Sequence, residues 1–337
     1  MTPIDNIADA GPSLTDEMRA ELHAAAAAAA SWDVTLRPAN LGPFPHRVAA
    51  ARAAILRLEK QLTQLPSSPS ASPRRIIGLL DLRANPRVVR SAITGVAPKP
   101  RDNEILPRVV TGSRHEEPRV AALCESYLRA TKYRADSESF TVYVEALQAH
   151  EPLTLLEIWS IPVYLRFCMV ERILAEADRA LREQSDEADE SVQRMFASLR
   201  AIGNIDWLSV LEPLILFDAL LRQDPTGTYA AMDFDSREAY RKRIALLARH
   251  SDFTEIQVAE FALELARNAG TRNYQDPRIR QRCTHIGYFL LSDGFKLLAD
   301  RVNFHAPLSH RIRTSIRANV ALVEDDAHGV RITPHPD

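Results

Sequence analysis

Two aspartates that flank a phenylalanine, Asp233-Phe234-Asp235, form the most conspicuous chemical motif of the chain. A DxD pair can hold a divalent metal ion against a diphosphate, because two carboxylates bind a hard cation well. That motif normally ends a strand, whereas no strand pattern precedes it here. Asp235 and Glu238 instead have the spacing of a helix capping box. We therefore interpret Asp235 as a helix cap and expect no metal ion and no cofactor at this motif.

Three other polar segments have ordinary structural interpretations. Cys283 and His285 could supply two metal ligands, but nothing nearby offers two more at zinc spacing, so a buried thiol beside an imidazole is expected. The acidic run from Asp186 to Glu190 predicts a solvent-facing connection between two helices. The segment from His115 to Glu117 precedes a proline, and we expect a solvated loop that leads into a helix.

The usual catalytic motifs are missing from the sequence: it contains no GxSxG, GxxxxGK[ST], GxGxxG, HExxH or EF-hand pattern. No catalytic residue is therefore assigned. Trp159 and Trp207 lie on apolar faces of predicted helices, so core packing is the first interpretation of both. Stacking against a sugar stays open if either ring lines a groove.

A local excess of positive charge lies near the C-terminus, and its core is formed by Arg311, Arg313 and Arg317. The first interpretation is a solvated amphipathic helix. The alternative is a cluster that faces an anionic membrane surface, where each basic residue contributes about 1 kcal/mol. We favour the solvated helix on these residues alone.

The elements that must position these residues are helices. Thr15 can cap a helix that runs to about Trp32, and further helices are expected over about 46–64, 75–93 and 207–222. Capping boxes begin at Thr154, Asp235 and Thr254. The last long helical segment is expected over about 277–302, loosened at its glycines. The residues between 320 and 332 could form a small β-hairpin or be disordered.

The composition supports a helical protein of ordinary globular character. The 337 residues include only 11 glycines, and charged residues make up 26% of the chain. The formal net charge of −2 argues against a dedicated nucleic-acid binder, which would carry a basic excess. No stretch reaches the roughly 18 consecutive apolar residues of a membrane span. The three separated cysteines favour a reducing compartment, and we expect a cytoplasmic location.

Proline divides the chain, because 13 of the 21 prolines lie in residues 1–118. We expect an N-terminal helical segment over 1–65 and a proline- and serine-rich linker with a short helix over 66–105. A main helical domain is expected over 106–305, and a basic helix with a tail over 306–337. The fold class that we predict is all-α, an irregular multi-helix bundle or a stack of helical hairpins.

Several spaced stretches of the main domain resemble the cyclic β-1,2-glucan synthases of bacteria. Residues 151–166 are similar to a PLT-xx-E-hydrophobic-W … LR segment of that family, and residues 285–290 are similar to its HVGYYL segment. The most specific stretch, residues 221–241, matches LR-x-DP-x-G-x-Y-xx-MDF-xx-R-xx-YR. Its signature residues are Asp224, Pro225, Gly227, Tyr229, Met232, Asp233, Phe234, Arg237 and Tyr240.

The resemblance covers about residues 104–300 and implies a supporting role. In those synthases this helical region precedes the membrane spans, the UDP-glucose-dependent transferase module and a phosphorylase-like module. The catalytic residues belong to the later modules, whose motifs do not occur here, so no catalytic position is carried over. The resemblance implies a non-catalytic domain at the cytoplasmic face of the inner membrane, whose partner is a glucosyltransferase module in the same chain or in another.

Two alternatives stay open beside that interpretation. The chain could be a β-glucan-binding module, with Trp159, Trp207 and Tyr229 as stacking residues and Arg237 as a polar contact. It could also be a stand-alone helical interaction protein. The signature stretch itself has a purely architectural interpretation, in which Asp224-Pro225 makes a turn, Gly227 relaxes it, and Met232 and Phe234 pack. Arg237 and Arg241, four residues apart, are the first candidates for a surface that a partner recognises.

Overall fold

The computed structural model describes residues 14–35, 44–67, 75–96, 106–111, 115–272 and 275–305. The chain divides into two compact units, Met1–Ile215 (unit 1) and Leu216–Asp337 (unit 2). The described residues form fifteen α-helices and three short strands, so the prediction of a mainly helical fold is confirmed. The predicted C-terminal basic helix, its arginines and the hairpin lie outside the described residues, as do residues 68–74 and 97–105 of the predicted linker segment.

The elements of each unit follow one another along the chain. Unit 1 contains α1 (Asp16–Ala30), β1 (Val34–Thr35), α2 (Phe44–Leu62), α3 (Ile77–Ala84), α4 (Pro86–Gly95), β2 (Arg108–Thr111), β3 (His115–Pro118), α5 (Arg119–Ala130), α6 (Ser137–Gln148), α7 (Leu155–Glu183), α8 (Asp186–Asn204) and α9 (Trp207–Leu211). Unit 2 contains α10 (Asp218–Leu221), α11 (Phe234–Arg249), α12 (Glu255–Gly270), α13 (Pro277–Thr284), α14 (Ile286–Leu291) and α15 (Phe295–Arg301).

Helix α7, with 29 residues, is the central element of unit 1. It begins with the predicted capping box, in which Thr154 and Glu157 satisfy each other's backbone N–H groups. Pro162 lies inside the helix, which continues to Glu183. Helices α2, α4, α5 and α8 all pack against α7, and its buried face includes Ile158 and Leu165. The apolar positions at helical spacing therefore bury α7 in the core of unit 1.

The three strands form a small antiparallel sheet in the order β1-β2-β3. Val34 pairs with Val109, and Val109 also pairs with Glu117 on the other side. Val109 is fully buried. The segment from His115 to Glu117 is thus a strand rather than the solvated loop that the sequence predicted, because it pairs with β2. β2 and β3 form a local hairpin, but the polar residues of β3 lack the apolar alternation that identifies a strand, and only the pairing of β1 with β2 joins residues distant in sequence.

Three predicted helices are shorter than expected. The helix over 75–93 is in fact two helices, because Pro86 starts a new one at its first turn. The helix over 207–222 ends at Leu211, where Pro213 lies in a short 3-10 turn, and it resumes only at Asp218. The helix over 277–302 is three short helices. Each break leaves backbone groups that loops or side chains satisfy.

Helix α12 is the central element of unit 2, since α10, α11, α13, α14 and α15 all pack against it. Thr254 and Gln257 form the predicted capping box at its start. Its buried residues include Val258, Ala262 and Ala266, which recur at helical spacing. None of the helices in the described part of the chain is both long and apolar enough to cross a membrane.

Candidate functional site

The signature stretch begins at a turn in unit 2. The backbone N–H of Gly227 donates to the carbonyl of Asp224 across 2.8 Å, and Gly227 has φ of 68°. Positive φ costs glycine little, because glycine has no Cβ. The prediction of a turn that Gly227 relaxes is therefore confirmed, and the turn delivers the Asp224 side chain into the interior.

Asp224 is the hub of a hydrogen-bonded cluster, and its side chain is 0% exposed. Its Oδ1 accepts from the backbone N–H of Ile286 at 3.0 Å, and its Oδ2 lies 2.8 Å from Nδ1 of His285. The hydroxyl of Thr226 also donates to Oδ2 across 2.5 Å. One carboxylate therefore ties the loop after α10 to the first residue of α14, 62 positions later in the chain.

His285 extends this cluster to Tyr240 on α11, whose hydroxyl lies 2.8 Å from Nε2 of His285. The aromatic ring of Tyr240 also packs on that of Tyr229, with ring centroids 5.5 Å apart. A Cβ at Gly287 would lie 2.3 Å from the Tyr240 hydroxyl and 2.6 Å from Nε2 of His285. Glycine at position 287 is therefore required for the Asp224–His285–Tyr240 chain.

A second buried carboxylate, Asp218, organises the other side of α11. Its Oδ1 accepts from Nε and Nη2 of Arg241 at 2.8 and 2.7 Å, and Tyr229 donates its hydroxyl to the same oxygen. Arg222 reaches Oδ2 at 2.6 Å. Arg241 is 0% exposed and lies over the ring of Phe234 at 5.7 Å. Arg241 is thus part of the interior and is not the surface residue that the sequence suggested.

The two carboxylates stay ionised because donors surround them. Burial pushes the pKa of Asp218 upward, but hydrogen bonds from Tyr229 and Arg241 outweigh burial and lower it. The pKa of Asp224 is likewise lowered, because the hydrogen bonds from His285 and Thr226 outweigh its burial. Burial raises the pKa of Tyr229 and of Tyr240, so both stay protonated at neutral pH.

The DxD motif is a helix start. Asp233 is the N-cap of α11, since its Oδ1 accepts from the backbone N–H of Ser236 at 2.8 Å. Asp235 lies in the first turn, so its predicted role as the cap is wrong and Asp233 has that role. The neighbouring Arg237 donates to the carbonyl of Met232. Among the described residues, no group of three or more His, Cys, Asp or Glu could hold a metal ion.

The signature residues that were expected to pack do so in part. Met232 and Phe234 are half-buried, whereas Tyr229 is 0% exposed. In unit 1, Trp207 is half-buried, donates its Nε1–H to the carbonyl of Ile202 at 3.0 Å and packs edge-on against Phe140. Trp159 on α7 is half-buried. Sugar stacking by Trp159 and Trp207 stays a prediction.

Unit 1 contains a charge cluster that sequence reasoning missed. Arg47 on α2 contacts Glu117 on β3, Glu125 on α5 at 3.5 Å and Glu171 on α7 at 2.6 Å. The cluster borders a cavity of about 1410 Å³. Burial raises the pKa of Glu171 although Arg47 opposes the shift. One guanidinium thus links α2 to three other elements, and the long separations in sequence hid these contacts.

The acidic run at the start of α8 also has a structural role, and its predicted solvent-facing character is wrong for Asp189. This side chain is 0% exposed and accepts from the backbone N–H groups of Gly78 at 3.1 Å and Leu79 at 2.8 Å. It satisfies two of the free donors at the start of α3. A Cβ at Gly78 would lie 2.3 Å from the backbone oxygen of Asp189, so only glycine permits this approach.

These observations define a mainly helical protein in which the signature residues bond its helices to one another. Comparison of the sequence with known proteins shows a distant similarity. The chain is distantly similar to the cyclic β-(1,2)-glucan synthases. One such relative, "Cyclic beta-(1,2)-glucan synthase NdvB" of Rhizobium meliloti (strain 1021), is 24% identical over an alignment length of 281 residues, and the match covers 59% of this chain and 10% of the relative. The chain thus spans a small part of that relative's length. No protein-family model matches the chain.

Proposed function

We propose that this chain is a non-catalytic helical domain of a cyclic β-1,2-glucan synthase-like protein. Its role is to support or regulate a UDP-glucose-dependent membrane glucosyltransferase. The domain works at the cytoplasmic face of the inner membrane, and the transferase module lies in the same chain or in a separate one. The basic residues Arg311, Arg313 and Arg317 are the proposed contact with anionic lipid.

The observation that supports a non-catalytic role is that the signature side chains hydrogen-bond within unit 2. Asp224 and Tyr240 are joined through His285, and Tyr229 donates to Asp218 beneath them. A catalytic group must reach the reacting bond, within hydrogen-bond distance of a bound substrate. Asp218, Asp224 and Tyr229 are buried within unit 2, so their hydrogen bonds serve the packing of α10, α11 and α14.

The β-glucan-binding alternative gains little from the geometry. Sugar recognition by stacking needs an exposed aromatic face. Tyr229 is 0% exposed, and the indole N–H of Trp207 is already bonded within unit 1. A stand-alone interaction protein stays an alternative that the experiment below separates from the proposal.

The test is affinity capture of the tagged native protein from detergent extracts of its own cells. The captured material is supplied with radiolabelled UDP-glucose, and β-1,2-linked product is measured. We expect glucan synthesis in the captured fraction, and none in a fraction captured with an unrelated tagged helical protein. Efficient capture without glucan synthesis, from cells whose remaining extract makes the glucan, would support a stand-alone interaction protein instead.

A further inference from the structure

A groove of about 500 Å³ lies in unit 2 beside the Asp224–His285–Tyr240 chain. Arg278 and Arg282 of α13 line it, together with His285 and Tyr240. Its volume falls within the range of sites that bind small molecules. The groove and all of its lining residues belong to one unit.

The lining of this groove is basic. Arg278 and Arg282 are one helical turn apart on α13, so they share a face of the helix. Every described residue that lines the groove is uncharged, a histidine or an arginine, and none is an aspartate or glutamate. The groove therefore offers positive charge and hydroxyl donors without a carboxylate in its own lining.

Arg282 can turn toward a ligand at little cost. Arg282 lies over the ring of Tyr288 at 5.9 Å and pairs with Asp293 at 2.8 Å, but that pair is 61% and 72% exposed. An exposed ion pair contributes at most about 1 kcal/mol, so an anion can replace Asp293. Arg280, the third arginine of α13, points elsewhere and donates to the carbonyl of Gly270 at 3.1 Å.

The floor of the groove is held rigid. His285 is fixed on one ring nitrogen by Asp224 at 2.8 Å and on the other by Tyr240 at 2.8 Å. Gly287, which also lines the groove, leaves the space that a Cβ would take from both rings. A preorganised floor lowers the entropic cost of binding.

We propose that this groove binds the phosphate group of a small organic molecule, with Arg278 and Arg282 as the residues that contact its oxygens. A planar guanidinium matches phosphate in a two-bond geometry, which a lysine cannot reproduce. A lining with two arginines and no carboxylate favours an anion over a cation, and the volume of the groove favours a small molecule. The proposal stands independently of the glucan synthase relation.

The test is calorimetric titration of the full chain with inorganic pyrophosphate at constant low ionic strength. We expect saturable binding that Arg278→Gln and Arg282→Gln each weaken about tenfold or more, since each removes charge-assisted hydrogen bonds. Helix α13 buries no residue, so both variants should keep the native circular dichroism spectrum. Arg249→Gln, an exposed arginine of the same unit outside the groove, is the matched control and should bind as the native chain does.

Three results would overturn the proposal. The first is no saturable heat with pyrophosphate. The second is an equal loss in Arg249→Gln, which would show unspecific charge attraction. The third comes from a parallel sedimentation assay with vesicles rich in phosphatidylglycerol: Arg278-dependent binding there, without pyrophosphate binding, would identify a membrane surface as the ligand.

Discussion

Asp218 is the residue whose loss should most weaken unit 2. Asp218→Asn keeps the shape of the side chain but removes the carboxylate that is hydrogen-bonded to Arg241, which is 0% exposed and lies 3.8 Å from the carboxylate of Glu238. Removing one partner of a buried ion pair costs about 3–5 kcal/mol. Because Asp218 also accepts from Tyr229 and Arg222, we place the loss in the free energy of unfolding of unit 2 at about 3–5 kcal/mol.

The assay can follow the two units separately. All three tryptophans, Trp32, Trp159 and Trp207, lie in unit 1, so tryptophan fluorescence reports the unfolding of unit 1. Hydrogen exchange of the α11 and α12 amides reports unit 2, with the loss of free energy read from the exchange rates in mild urea. Asp218→Asn should accelerate exchange in unit 2.

The matched control is Arg222→Gln, which removes a contact to the same carboxylate from a side chain that is 43% exposed. Its cost should stay within about 1 kcal/mol, because the guanidinium is largely exposed and Arg241 and Tyr229 still donate to Asp218. The reasoning is refuted if Asp218→Asn changes the stability of unit 2 by no more than this control does. It is equally refuted if only the tryptophan transition moves.

Three further predictions concern packing, thiols and pH. Gly78→Ala should destabilise unit 1 by at least about 1–3 kcal/mol in urea unfolding, because the added Cβ would clash with the α8 backbone. The control is Gly203→Ala, which has open space around it and should be neutral or stabilising by up to about 1 kcal/mol. The sequence predicted a buried thiol at Cys283, but the residue is half-buried because no residue of α13 is buried. A thiol reagent should therefore label Cys283 in the native chain and the two buried cysteines only after unfolding, and equal native rates would contradict this. Because the pKa of Asp224 is lowered on folding, its stabilisation is complete above about pH 5, where unfolded aspartates are ionised, and is lost as the pH falls through the folded value. Asp224→Asn should flatten that acid limb of a urea-midpoint profile.

Local sequence patterns predicted the helices whose starts are set by nearby side chains. Thr15, Thr154 and Thr254 each cap the helix that the sequence assigned to them. The same local reasoning chose Asp235 over Asp233, because Asp235 has Glu238 at capping-box spacing whereas Asp233 has Ser236 at that position. Capping signals are accurate to about one turn, since helix ends are decided by tertiary contacts as well.

The site itself depends on contacts that no local pattern contains. The bond between Asp224 and Ile286 spans 62 residues, and that between Asp189 and Gly78 spans 111. Without knowledge of its distant partner, a polar residue in an amphipathic segment is predicted to be exposed. The resemblance in residues 221–241 marked Asp224, Tyr229 and Tyr240 together, yet it gave no geometry for them.

The central claim is that this domain supports synthesis of β-1,2-glucan, and the most direct test is the glucan content of native cells. Asp218→Asn, which should weaken unit 2, is introduced at the chromosomal position, with Arg249→Gln as the control. The account predicts that the cells lose most of their β-1,2-glucan with Asp218→Asn and keep it with Arg249→Gln. Unchanged β-1,2-glucan in cells that carry the Asp218→Asn protein, shown by hydrogen exchange to be destabilised, would contradict it.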